Sequence, residues 1–142
     1  MRNYYLILFI VLICNGVIAQ DFNMANGSIT TCSGTFYDNG GATGNYTNTQ
    51  NLIFTINPNT AGSNIQVTFN DFELEGCCDF LYVYNGSSTA APLIGTYNGT
   101  TLPPVLLANN ATGSLTFQFT SDGSVVRTGW RATISCSVPC QT

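Results

Sequence analysis

The stretch FELEGCCDFLYVYNG, residues 72–86, sets Glu73, Glu75 and Asp79 around the adjacent pair Cys77 and Cys78, in a chain of which only 7% is charged. Zinc would ask for further Cys or His at ligand spacing, and the pair stands without either, because the chain contains no histidine. Nucleophilic catalysis at Ser or Cys needs an activating base, and both His and Lys are absent. Glu75 and Asp79 could in principle form a glycosidase pair, but nothing in the sequence outlines a cleft around them. The expectation is therefore a protein that is not an enzyme.

Calcium asks for less: several oxygen ligands at about 2.3–2.6 Å, which loops at one end of a β-sandwich can supply. The short GCC link holds Glu75 and Asp79 at one edge, and Asp122 in TSDGS follows another apolar run. Carboxylates gathered without a cation raise one another's pKa values, and a divalent ion relieves that. The same acids could equally solvate their own turns, and residue types alone leave both readings open.

The elements that must position these residues are strands. Apolar residues alternate with polar ones at Ile65, Val67 and Phe69, at Leu115, Phe117 and Phe119, and at Trp130, Ala132 and Ile134. Further strands are expected near 51–56, 79–84 and 92–97, separated by DNGG, NPNTAG, YNGSS and YNGT. No helical periodicity competes. Short strands at this spacing in 142 residues predict one all-β domain, an antiparallel β-sandwich of jelly-roll or immunoglobulin-like type.

Residues 1–19 read as a secretory signal peptide: Arg2, the apolar run YYLILFIVLIC, and a small-residue exit at Ala19. The uninterrupted apolar run is shorter than the roughly 20 residues a membrane span needs. Cleavage would leave Arg127 and Arg131 against seven acidic residues, making the secreted chain more negative than the −4 of the whole. Such a surface repels nucleic acid and anionic lipid and favours cationic partners.

The order NYTNTQNLIFTI, FELEGCCDFLYVYNG, PLIGTYNGTTLPP and SLTFQFTSDGSVVRTGWRATISC resembles a CUB domain, over roughly residues 29–136. FYDNGG and the signal exit also resemble CUB-like modules of secreted bacterial proteins. The resemblance implies a jelly-roll sandwich of the calcium-binding type. Glu75, Asp79 and Asp122 would ligate Ca2+, a Ser124 backbone oxygen would assist, and the Tyr46 hydroxyl would steady the acids. It also implies an extracellular protein partner that presents Lys or Arg to the site. Residues 20–28 would be a linker and 137–142 a tail. The GCC link is shorter than the family's usual loop.

Leu52 and Asn98 stand where the family pattern places two of its cysteines, so its usual pairing cannot form. Cys32 and Cys136 fall on strands that neighbour one another in such sandwiches, which favours that bridge. For Cys77 and Cys78 a vicinal bond and a bond elsewhere both stay open. Cys140 makes the count after cleavage odd. Asn26, Asn45, Asn85, Asn98 and Asn110 lie in glycosylation sequons, three of which are also Asn-Gly turn dipeptides. Two other roles are compatible with the sequence: a carbohydrate-binding jelly roll stacking sugars on Tyr82, Tyr84, Tyr97 or Trp130, and a structural accessory domain of a longer secreted protein.

Overall fold

Alternation of side chains along a strand sends every second residue to the interior, and the computed structural model, which describes residues 20–138, follows that rule. The expected leader, Cys140 and the end of the tail lie outside the described residues. Among the described residues ten strands form: β1 Asp21–Asn23, β2 Gly27–Thr30, β3 Ser33–Tyr37, β4 Asn51–Asn57, β5 Asn64–Glu73, β6 Phe80–Tyr84, β7 Leu93–Tyr97, β8 Leu106–Leu107, β9 Leu115–Thr120 and β10 Gly129–Ser137. They pair into two five-stranded sheets, β1-β3-β10-β5-β8 and β2-β4-β9-β6-β7, packed as a sandwich of jelly-roll type. No helix occurs among the described residues.

Stretch 20–28, read from sequence as a linker, instead contributes β1 and β2, which pair parallel to β3 and β4. The sheets are thus antiparallel apart from these two edges. Both strands are too short to show alternation, and what holds them is pairing to distant segments, with Phe22 and Ile29 packed against the core and Met24 within it.

The core lies between the sheets. Phe36 of β3 stacks on Phe54 of β4 with centroids 5.5 Å apart, and Trp130 of β10 meets Phe119 of β9 edge-on at 5.2 Å. Trp130 is only 2% exposed, which removes it as a sugar-stacking residue. Tyr97 points to the same side as buried Leu81, its partner in the ladder, and packs against the core.

A β-bulge sets the phase of the chain as it leaves β5. Arg131 pairs with Asp71 and Ala132 with Phe69, so Asn70 is the additional residue. Before it the inward residues are Ile65, Val67 and Phe69; after it they are Phe72 and Leu74. The shift buries Leu74 and delivers Glu75 to the sandwich rim. Cys32 and Cys136 are disulfide-bonded with Cα atoms 5.0 Å apart, joining the start of β3 to the end of neighbouring β10.

Candidate metal centre

Three connections meet at one end of the sandwich: the β5–β6 turn, the β9–β10 loop and the segment leading into β4. Leu74 anchors the first, its buried side chain in the core and its amide donating to Gly99 O at 2.9 Å. Asn98, just past β7, donates Nδ2 to Gly76 O at 2.6 Å. This side chain, standing where the family pattern has a cysteine, ties the turn by a hydrogen bond. Cys77 and Cys78 are bonded to each other within that turn, which answers the question left open by sequence.

Asp79 follows at once and is fully buried. Its Oδ2 accepts the Tyr46 hydroxyl proton at 2.5 Å, and its Oδ1 accepts the Asp122 amide at 2.9 Å. The same Tyr46 oxygen accepts the Glu75 amide at 3.0 Å. Tyr46, 1% exposed with its ring edge-on to Phe119 at 5.3 Å, thus reaches both ends of the GCC turn from a separate segment. Burial, then its bond to Asp79, holds its phenol above the ordinary range, so it stays a donor.

The β9–β10 loop is shaped by its own acid. Asp122 Oδ1 accepts the Ser124 amide at 2.9 Å, and Asp122 O accepts the Thr49 amide at 2.6 Å. Thr49 and Val125, both β-branched, adopt φ of 60° and 56°, conformations such residues rarely take. Two left-handed β-branched residues beside one cluster of acids place backbone strain where function commonly concentrates it.

One carboxylate oxygen from each of Glu75, Asp79 and Asp122 lies within 4.8 Å of the others. Oxygens sharing a calcium ion at 2.3–2.6 Å can be separated by at most about 5.2 Å, so the spacing fits. Glu75 supplies a second sign of fit: the residue is only partly covered, yet Oε2 is buried with no hydrogen-bond partner. Desolvation, then the charges of Asp122 and Asp79, raise its pKa, while Arg127 opposes them. A glutamate with one buried, unpaired oxygen, gathered with two further carboxylates, is an arrangement whose repulsion a cation would relieve.

Glu73 stands apart, its Oε2 accepting from Thr128 Oγ1 at 2.8 Å. Of the sequon residues, Asn85, Asn98 and Asn110 use their side-chain amides in hydrogen bonds that brace turns, Asn26 Oδ1 accepts from Ile53 N, and Asn45 is exposed. Sequence reasoning missed Asp38. It is fully buried, accepts the Gly40 and Trp130 amides at 2.7 and 3.0 Å, and has its pKa raised by burial against the lowering effect of those bonds. The available signal was the glycine of TGW: Gly129 has φ 75°, and a Cβ there would strike the Asp38 carboxylate. A groove of about 560 Å³ lies elsewhere, lined by Tyr37, Gly41, Asn45, Asp71 and Arg131 among others, and does not include the acid cluster.

The family model described as CUB domain matches residues 25–134. The chain belongs to the CUB family. Cubilin of Homo sapiens is 34% identical over 128 residues, covering 87% of this chain and 4% of that protein. Cubilin of Sus scrofa is 34% identical over 114 residues, covering 72% and 3%. The chain thus spans a few per cent of the length of these relatives. Among solved structures, the full extracellular region of zebrafish Gpr126/Adgrg6 superposes with a TM-score of 0.65 at 25% identity, over 81% of this chain and 15% of that one. The MASP-1 CUB2 domain bound to Ca2+ superposes with a TM-score of 0.63 at 21% identity, over 78% and 98%. The latter shows the common fold, and it shows that a CUB domain holds calcium.

Proposed function

We propose that this CUB domain is a secreted, non-catalytic module that binds an extracellular protein in a calcium-dependent manner. Glu75, Asp79 and Asp122 would hold the ion, a Ser124 backbone oxygen would contribute, and Tyr46 would fix the acids. The observation that carries the reading is the buried, unpartnered Oε2 of Glu75 among three carboxylates gathered within 4.8 Å. When bound, calcium supplies charge neutralisation and a tie between loops. Three carboxylates exceed its charge by one, which leaves a local site for a partner's Lys or Arg. The net negative charge, −4 for the whole chain and greater once residues 1–19 are removed, steers such a partner in. Disulfides at Cys32–Cys136 and Cys77–Cys78 suit an oxidising, extracellular setting.

Calorimetric titration of chelator-treated protein with Ca2+ tests the site. One saturable binding event is expected, abolished in Asp122→Ala and strongly weakened in Glu75→Gln. Absence of heat, together with a melting temperature indifferent to Ca2+, counts decisively against it. For the docking role, immobilised Lys-rich extracellular peptides should be captured with Ca2+ and released by chelator or salt; capture unchanged by either places recognition elsewhere.

A further inference from the structure

The two sheets divide charge unequally. Strands of the first carry Asp21, Asp71, Glu73 and Arg131, whereas β2, β4, β6, β7 and β9 contain no Asp, Glu, Lys or Arg. In a chain of net charge −4, the second sheet thus offers a solvent face free of formal charge.

That face is ordered. Along β6, Leu81 and Val83 are buried while Phe80, Tyr82 and Tyr84 stand partly exposed on the outer side. Opposite them across the ladder lie Thr120, Gln118 and Thr116 of β9, with Thr96 of β7 beside Tyr82. The Phe80 and Tyr82 rings are neighbours, with centroids 6.0 Å apart. Tyr84 Oη donates to Gln118 Oε1 at 3.1 Å, and Gln118 Nε2 donates to Asn51 Oδ1 at 3.0 Å, fixing a polar row across three strands. A column of rings therefore runs alongside the amides of Gln118 and Asn51, held in place by these bonds, and the hydroxyls of Thr96 and Thr120.

We propose that this outer face binds a neutral glycan chain. A sugar ring has an apolar C–H face, slightly positive, that suits the negative face of an aromatic ring, and a hydroxyl rim that both donates and accepts. Phe80, Tyr82 and Tyr84 supply the stacking surface. Gln118, Asn51, Thr96 and Thr120 supply partners of either hydrogen-bonding sense. The lack of charge matches a neutral polymer and gives an acidic or basic one nothing to pair with. Rings of two torsions, with one already hydrogen-bonded, lose little freedom on binding. The proposal is independent of calcium, because no acid takes part.

Affinity electrophoresis of the full chain through gels containing soluble glucan, mannan, xylan or galactomannan tests it. Retardation is expected with at least one polymer, unchanged by chelator and by added salt. Tyr82→Ala should weaken retention about tenfold, as loss of a stacking ring does, while Tyr82→Phe keeps it. If Tyr82→Ala does not fold, Gln118→Ala retains all three rings and should still lose retention. Free migration through every neutral polymer, retention unaffected by both alanine variants, or capture only by sulfated or uronic-acid polymers would each overturn the proposal.

Discussion

The Tyr46 hydroxyl donates to Asp79 Oδ2 at 2.5 Å and in turn accepts the amide of Glu75 at 3.0 Å, so one oxygen pins both ends of the turn that carries two of the acids. Its position derives from the core side: the ring lies against Phe119, and only the hydroxyl reaches the rim.

Tyr46→Phe keeps the ring and removes that oxygen. A fully buried Asp79 would lose one of its donors and the Glu75 amide its acceptor. The expected cost is about 1–3 kcal/mol, the range for hydrogen bonds to charged groups and for buried groups left unsatisfied. Urea denaturation in chelator measures this, and calorimetry should show weaker calcium binding in the variant. An unchanged midpoint would mean that Asn98, Leu74 and the Cys77–Cys78 bond hold the turn without the hydroxyl.

Glu75 makes the calcium-free protein pH-sensitive. Its pKa is higher folded than unfolded, so the folded state binds the proton more tightly and stability is lost as pH rises from the unfolded glutamate range, about 4.3, through the folded value. In chelator the protein should therefore lose stability across that interval. Glu75→Gln should flatten this part of the profile and be the more stable chain at neutral pH. Calcium should reverse the ordering, because the ion needs the carboxylate that the variant lacks. Melting curves at pH 4 to 8, with and without Ca2+, distinguish the cases.

Gly129→Ala addresses the buried Asp38. Alanine there would be held at an unfavourable positive φ, and its methyl group would strike the carboxylate that accepts the Trp130 amide. The expected destabilisation exceeds about 1 kcal/mol, the usual cost of a non-glycine residue in this conformation. Asp38→Asn keeps the volume but replaces one of the two oxygens that accept the Gly40 and Trp130 amides with an NH2 group, which cannot accept, so it too should destabilise. Urea denaturation of the two variants measures both losses, and an unchanged midpoint for Gly129→Ala would show that the close approach of this backbone to Asp38 is not required.

The period-two runs at 65–69, 115–119 and 130–134 were legible because each strand shows one face to the core, and the order of short motifs was enough to reveal the family. The strands at 21–23 and 27–30 were not legible, since partners distant in sequence hold them there. Asp38 escaped notice for a related reason: nothing local marks an acid as buried, and only its proximity to Gly129 and Trp130 explains it. The bulge at Asn70 was equally silent, yet it sets which of Glu73, Leu74 and Glu75 faces the rim. For the acid cluster, types and spacing left a calcium site and turn solvation equally open, and only the family resemblance singled out Glu75, Asp79 and Asp122; the unpartnered Oε2 is a product of the fold, which no local pattern encodes.

The two disulfides should have different effects when removed. Chain-entropy stabilisation by a cross-link grows with the loop it closes. Cys32 and Cys136 are 104 residues apart in sequence, so replacing both by Ala should cost about 2–5 kcal/mol. Cys77 and Cys78 are adjacent, and their bond closes almost no loop in the unfolded chain. Replacing both by Ser should therefore change global stability in chelator little. What their bond does restrict is the folded turn between Glu75 and Asp79. Freeing that turn makes the two carboxylates costlier to order around an ion, so calcium affinity should fall while the chelated melting temperature holds. Denaturation and calcium titration of the two double variants separate these roles, and a large loss of chelated stability in the Cys77→Ser, Cys78→Ser chain would refute the division.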